Sequence, residues 1–254
     1  MMVIRCFFSN FALVLEKTKA IVLHTTKYND QKVIVDLYTE NFGRISCAVK
    51  IATTQRGKLK KQLFQPLTVL LIELDYRQSK PFQQLRDAHL LQPWITLSTD
   101  PVKMSVAMFI GEMLWHATKQ EQGDSILFLF IEQSLLWLDV TDSSVANFHI
   151  CFLTLLSRYL GIQPSGEDYQ PTTVFDLRQG SFSFLHPSHS DFLKPADSSF
   201  VPLLLRMNYR TMHLFRFTRE SRQQCLQYII MYYRLHLPSF PEPRSLTVLA
   251  ELFR

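Results

Sequence analysis

From residue 17 to about residue 92 the apolar positions follow a strand period. "KAIVLHTTKY" predicts a first strand and "KVIVDLYTE" a second. "GRISCAVKI" alternates Ile45, Cys47 and Val49 with Ser46, Ala48 and Lys50, which puts the two sets on opposite faces. Gly43, after "ENF", marks the turn between the second strand and the third. "LTVLLIELDY" reads as a long fourth strand and "FQQLRDAHLL" as a fifth, with Lys80-Pro81 in the turn between them. Five short strands joined mostly by turns predict a small closed barrel of the OB type, with a sandwich fragment as the alternative.

After Pro93 the period becomes helical. Asp100 is placed as an N-cap with Pro101 at the first helical position, and Val102, Val106, Phe109, Ile110, Met113 and Leu114 form one stripe. A second helix is predicted from about Ser125 to Asp139. A third runs from about Ser144 to Leu160 and stops at Gly161, with Pro164 beyond. Residues 171–186 predict a hairpin turning at Gln179-Gly180. Helices follow over about 198–208, over about 219–236 after Thr218, and briefly after Ser245. The expected chain is therefore α+β: a five-stranded barrel over 17–93, then a mainly helical domain with a small hairpin over 94–254.

Composition sharpens this picture. With 254 residues, 47% hydrophobic and only 7 Gly, the chain can bury real cores and is not a disordered or low-complexity protein. Charge is segregated. Residues 17–93 carry 13 Lys/Arg against 6 Asp/Glu, residues 94–200 carry 5 against 12, and residues 201–254 carry 8 against 3. Such asymmetry points to an anionic partner for the basic parts, nucleic acid first. Cys6, Cys47, Cys151 and Cys225 are scattered with no C-x-x-C pair, which fits a reducing cytoplasm and small buried side chains. "MMVIRCFFSNFALVLE" lacks a small-x-small cleavage site and runs straight into the first strand. Residues 1–16 are expected to be either an upstream start-site extension or a loosely docked arm, and no membrane partner is expected.

Enzyme chemistry is hard to find. No G-x-x-x-x-G-K-[ST], G-x-G-x-x-G or G-x-S-x-G occurs, so nucleotide hydrolysis, dinucleotide binding and an esterase elbow by those routes are not expected. His186 and His189, near Asp191, form the one tight histidine pair; in a Pro/Ser-rich loop they read as solvated, and no metal or other cofactor is expected.

One window does carry chemistry. Between Asn41 and Ile72 there is no acidic residue, yet Arg44, Lys50, Arg56, Lys58, Lys60 and Lys61 fall there. A loop that needed only solubility would mix signs; a one-sign run concentrates positive potential, as phosphate binding requires. Barrels of this type present cations and aromatic platforms to a nucleic-acid strand. Tyr28, Tyr38, Phe42, Phe64 and Tyr76 are the candidate platforms, Tyr28 foremost, although most aromatics in so small a barrel belong to its core.

Taken in order, several stretches resemble the RecO family of DNA repair and recombination proteins: "KAIVLHTTKYNDQKVIVDLYTENFGRISCAVK", "LFQPLTVLLIEL", "LRDAHLLQPW", "FLTLLSRYLGIQP" and "YYRLHLPSFPEPRSLTVLAEL". The resemblance covers nearly all of 17–254. It implies an OB barrel and a helical C-terminal domain, and binding to single- and double-stranded DNA with annealing of complementary strands. It further implies partnership with RecR and with the acidic C-terminal tail of single-strand binding protein, so that RecA loads onto coated gaps, in a bacterial, nucleoid-associated cytoplasmic setting. No nucleotide cofactor is implied.

The chain departs from the family in three places. The basic segment after the third strand is "KIATTQRGKLKK", with Lys50 in register and the other cations later. The four-Cys zinc site of some members is absent from "SGEDYQPTTVFD". Where some members place tail-binding arginines stand Ile150 and Cys151. Arg216, Arg219 and Arg222 are instead expected to hold the partner tail, beside the apolar spacing Leu226, Ile229, Ile230 and Tyr233. Two other classes compete: an OB-fold module acting on RNA, and a non-catalytic protein-interaction module.

Overall fold

The computed structural model describes residues 15–52, 59–119 and 122–252. Strand β1 (Leu15–Lys27) is the hub of the N-terminal sheet. Its second half pairs antiparallel with β2 (Lys32–Thr39), from Ala20 opposite Thr39 to Lys27 opposite Val33. Its first half pairs with β4 (Val69–Asp75), from Leu15 opposite Asp75 to Ile21 opposite Val69. β3 (Gly43–Lys50) adds to β2 and β5 (Gln84–Gln92) to β4, giving the order β3-β2-β1-β4-β5. The sheet curls until its edges meet in a parallel bridge, Cys47 with Gln83, where the Gln83 amide donates to the Ser46 carbonyl at 2.8 Å. Closure removes both open edges.

Period-2 alternation fills the barrel with Val22, Val35, Leu37, Cys47, Leu70, Ile72 and Leu74, all buried. The apolar residues of the opposite face are not wasted on solvent. Ile21, Leu23, Tyr38 and Val69 pack into the core of the helical domain, which is why the centre of β1, Ala20–Leu23, and the start of β4, Val69–Ile72, read as continuous apolar runs.

The helices begin largely where the caps dictate. Asp100 accepts from the amides of Val102 (2.8 Å) and Lys103 (3.1 Å) to start α1 (Pro101–Ala117). Asp124 does the same for α2 (Ser125–Val140) through Ile126 and Leu127. α3 (Phe148–Tyr159) ends before Gly161, whose φ of +69° suits a left-handed cap. It begins four residues later than the expected Ser144, because Asn147 is engaged elsewhere: its side-chain amide donates to the carbonyls of Met212 (2.9 Å) and Phe215 (2.8 Å).

The predicted hairpin is β6 (Val174–Asp176) with β7 (Ser181–Ser183), and a third strand, β8 (Phe192–Leu193), makes the order β7-β6-β8. The expected helix over 198–208 is two short ones, α4 (Pro195–Ser198) and α5 (Phe200–Arg206). α6 (Arg219–His236) follows Thr218, which caps Ser221, and α7 (Leu246–Leu252) closes the chain. Leu226, Ile229, Ile230 and Tyr233 are all buried, as their spacing requires.

Barrel and helices share a tight seam. At Gly123 a β-carbon would lie 2.3 Å from the Asn41 carbonyl oxygen, so the chain can enter α2 past the β2–β3 turn only without a side chain. The residues after the barrel are held by Asp139 of α2, whose carboxylate accepts from the amides of Ile95, Thr96 and Leu97 at 2.8–3.1 Å.

Candidate nucleic-acid interface

The β1–β2 hairpin, the end of β3 and the segment leading to β4 converge at one end of the barrel. Lys50 is the last residue of β3, and its direct cross-strand neighbour is Lys32, the first of β2; both are exposed. Like charges set opposite one another across a ladder are destabilising by a few tenths of a kcal/mol or more. An anion lying between them relieves that cost. Just beyond, the Ala52 amide donates to the Leu59 carbonyl at 2.9 Å, which brings Leu59 and the residues after it to this same end. Lys60 and Lys61 follow, exposed, at the start of a single 3-10 turn over Lys61–Phe64, which is tied to β1 by the Thr25 hydroxyl donating to the Phe64 carbonyl at 2.7 Å. Lys32, Lys50, Lys60 and Lys61 have no acidic partner among the described residues. Arg56 and Lys58 lie outside the described residues.

The aromatic candidates separate cleanly. Tyr28, at the tip of the β1–β2 hairpin, is 69% exposed, and its amide donates to the Lys32 carbonyl at 3.0 Å. It therefore stands beside the lysines with a free ring face. Tyr38 is fully buried under α2, Phe64 is in the barrel core, and Phe42 and Tyr76 stack on each other at 4.1 Å.

Arg44 must be taken out of the exposed set. Its guanidinium pairs with Asp36 at 3.2 Å, donates to the Trp115 carbonyl at 2.6 Å, and lies 5.9 Å from the Trp115 ring centre. Burial lowers its pKa, opposed by the Asp36 carboxylate. It fastens the barrel to α1. Counting cations along the sequence could not distinguish it from Lys50, because both lie on β3 and both alternate with core residues.

Lys32 is the converse. It sits outside the acid-free window, yet strand register puts it against Lys50. The turn "NDQ" between the first two strands was the available signal.

The second basic region forms a cleft at the start of α6. Arg219, Arg222 and Gln223 border an apolar floor of Leu226, Leu246 and Leu249, with His149 at its base. Arg222 donates to the Asn147 side-chain oxygen at 3.0 Å and to the Phe217 carbonyl at 3.3 Å. Burial, with Arg222 nearby, pushes the His149 pKa down to about 3, so its ring is neutral near pH 7. Arg216 does not join them: it precedes the Thr218 cap and is exposed, outside the helix. The α7 wall comes from the "RSLTVLAEL" segment, whose entry is pinned by Glu112 of α1 accepting from the amides of Arg244 and Ser245, each at 2.8 Å.

Other polar features are structural. His189 lies 3.4 Å from Asp176, and Arg178 pairs with Asp191 at 2.6 Å, bracing the small sheet. No group of three or more His, Cys, Asp or Glu placed to hold a metal occurs among the described residues. Cys47, Cys151 and Cys225 are buried thiols with pKa values pushed up to about 12, chiefly by burial. No helix of the described residues is long and apolar enough to cross a membrane.

A closed five-stranded OB-like barrel with an unbalanced lysine end, seated on a helical domain, is an architecture that suits nucleic-acid binding. The comparisons give the family. The model "Recombination protein O N terminal" matches residues 13–94 and "Recombination protein O C terminal" matches residues 98–245. Proteins named DNA repair protein RecO are similar throughout. That of Phocaeicola vulgatus is 45% identical over 239 residues, 94% of this chain and 99% of the relative. That of Bacteroides fragilis is 42% identical over 240 residues, again 94% and 99%. That of Azobacteroides pseudotrichonymphae is 36% identical over 239 residues with the same coverage. The chain belongs to the RecO family of non-catalytic DNA repair and recombination mediators.

Proposed function

We propose that this chain binds single- and double-stranded DNA along the lysine-bearing end of its barrel and anneals complementary strands. With RecR it then helps RecA load onto DNA coated by single-strand binding protein. The observation that carries the DNA-binding reading is the convergence of Lys32, Lys50, Lys60 and Lys61 at one end of the barrel, with Tyr28 beside them and no acidic partner among the described residues. Phosphates supply the missing counter-charge, and the Tyr28 ring offers a base a stacking face. Arg56 and Lys58 belong to the same acid-free run of the sequence and are proposed for the same role.

The acidic, apolar-ended tail of single-strand binding protein is assigned to the cleft of Arg219, Arg222, Leu226, Leu246 and Leu249. Guanidinium groups there suit the tail's carboxylates and the leucines suit its terminal side chain. The decisive test is strand annealing with naked and with protein-coated single-stranded DNA, in the presence of RecR. Lys50→Ala with Lys60→Ala and Lys61→Ala should slow both reactions; Arg219→Glu with Arg222→Glu should slow only the coated one. Neither reaction should need ATP or respond to a zinc chelator. A lysine variant that anneals naked strands like the wild type refutes the assignment, and an equal affinity for RNA would favour an RNA-binding module instead.

A further inference from the structure

Ile45, Cys47 and Val49 of β3 point into the barrel core, so Ser46, Ala48 and Lys50 form the outward row of that strand. At Lys50 the row opens onto the lysine end. In the other direction it is closed one step past Ser46, where Arg44 lies under Trp115 of α1. On the β2 side the same level is taken by Asp36, which accepts from the Trp115 indole. A DNA strand that enters at the lysines and follows the row therefore finds its open way out on the other side, over β5.

The β4–β5 turn stands there. Cys47 and Gln83 form the parallel bridge that closes the barrel, and both are buried. Phe82, one residue before Gln83, thus points outward beside Ser46. It is 47% exposed, and its ring stacks on no other ring among the described residues, unlike the paired Phe42 and Tyr76.

The turn holds this residue in place. The buried Gln83 side chain accepts from the Arg77 amide at 2.8 Å and donates to the carbonyls of Arg77 (3.0 Å) and Lys80 (2.8 Å). The Lys80 amide donates back to the Arg77 carbonyl at 2.9 Å, and the Gln83 amide is anchored to Ser46. The backbone that carries Phe82 is therefore set against β3 before a ligand arrives, which limits the ordering cost of binding. The turn is also cationic. Arg77, Lys80 and Arg86 are exposed and share one carboxylate, Asp75, which lies 3.2 Å from Arg77 and 3.9 Å from Arg86.

We propose that Phe82 is a second base-stacking platform, for a single strand that runs from the lysine end along Lys50, Ala48 and Ser46 and leaves over the β4–β5 turn. The inference rests on the reading of the barrel as the DNA-binding surface. Four residues of strand separate the level of Phe82 from Lys50, about 13 Å at 3.3 Å per residue. Tyr28, beside Lys32 and Lys50, and Phe82 thus stand at opposite ends of one path and serve different bases. Phe82 also does what the cations do not. Phosphate contacts are open to single and double strands alike. A ring can stack only on a base whose face is free, and in a duplex the neighbouring pairs cover it. Phe82 therefore gives the barrel its preference for unpaired strands.

The test is fluorescence anisotropy of a labelled oligothymidylate of about 15 nucleotides, and of a duplex of the same length, on the full chain and its variants. Phe82→Ala should weaken single-strand binding about fivefold or more and leave duplex affinity and both salt slopes unchanged. Phe82→Trp should keep the single-strand affinity, whereas Phe82→Leu, apolar but without a π face, should lose it as Phe82→Ala does. The Lys50→Ala, Lys60→Ala, Lys61→Ala protein is the reference. If it loses binding while Phe82→Ala or Phe82→Leu holds the single strand like the wild type, the barrel site stands and the second platform falls. An equal loss of single-strand and duplex affinity in Phe82→Ala also overturns the platform, because the ring then acts through the fold. If the lysine variant itself binds like the wild type, the barrel reading fails and the platform with it.

Discussion

The indole nitrogen of Trp115 donates to Asp36 Oδ2 at 2.8 Å, joining helix α1 to barrel strand β2 across 79 positions of chain. The same carboxylate pairs with Arg44 and accepts from the Ser46 hydroxyl, and His24 of β1 stacks on the Trp115 ring at 4.1 Å. Three strands of the barrel are thereby referred to one residue of the helical domain. A barrel fixed this rigidly presents its lysine end at a set angle to the cleft at α6.

Arg44→Ala should therefore act on stability and not on DNA. Removing one member of a partly buried pair leaves the other charge uncompensated, at about 3 kcal/mol. Urea unfolding should show that loss, while the salt dependence of DNA binding keeps its wild-type slope. A flattened slope with unchanged stability would return Arg44 to the DNA-binding set.

The lysine end makes the opposite prediction. Four phosphate contacts on a single strand give a slope of log K against log salt near −2.8, at about 0.7 per contact. Replacing Lys50, Lys60 and Lys61 by Ala should flatten it by about 2. Because Lys50 faces Lys32 across the ladder, Lys50→Ala alone should weaken DNA binding while leaving stability unchanged or raising it by up to about 0.5 kcal/mol. A substitution that harms function and relieves the fold is what a binding residue held against its own interest produces.

Asp139 gives a pH-dependent test. Burial favours its neutral form, but hydrogen bonds from the Leu97, Ile95 and Thr96 amides, with the Thr96 hydroxyl, outweigh it and hold the pKa below the ordinary 3.8. A depressed carboxylate pKa means that the contribution to stability is complete above the unfolded-state value and is lost as pH falls through the folded one. Asp139→Asn should cost about 2 kcal/mol near pH 7, since bonds to a charged acceptor are the strong ones. The difference from wild type should shrink as pH falls below about 3.8. Chemical denaturation across that range reads it directly, and a gap independent of pH would contradict the assignment.

Much of this architecture was legible in the residues. Alternation at Ile45, Cys47 and Val49 gave β3, the Asp100-Pro101 pair gave the start of α1, and Gly161 gave the end of α3. What escaped was whatever depends on partners distant in sequence. Asn147 gives up a helical position to bind two carbonyls more than 60 residues away, and the two-residue strand β8 exists only because β6 offers it an edge. At the site the same rule holds. The acid-free window picked out Lys50, Lys60 and Lys61, which are exposed, but only register sets Lys32 against Lys50, and only burial sets Arg44 apart from them. The α6 arginines were visible by charge; the leucines of α7 that complete their cleft were not, because a local pattern carries no sign of which wall it will join.

Those leucines lead to the last prediction. Glu112 of α1 holds the entry to α7 through the amides of Arg244 and Ser245 and through the Ser245 hydroxyl. Burial raises the Glu112 pKa, but these bonds more than offset it, so the group is held below 4.5 and is ionised near neutrality. Without it, two backbone amides lose a charged acceptor, and the wall formed by Leu246 and Leu249 is no longer fixed against α6. Glu112→Ala should therefore weaken binding of an acidic, apolar-ended peptide about fivefold or more, although Glu112 lines no part of the cleft and carries the wrong charge to attract the peptide. Simple electrostatics predicts the reverse, because removing an acid should favour an acidic ligand. The two causes separate by salt: Arg219→Ala should lower affinity and reduce its salt dependence, whereas Glu112→Ala should lower affinity and leave the salt dependence intact. Fluorescence titration of the labelled peptide onto each variant decides the matter. A Glu112→Ala protein that binds as tightly as the wild type would show that α7 is not a wall of the peptide site.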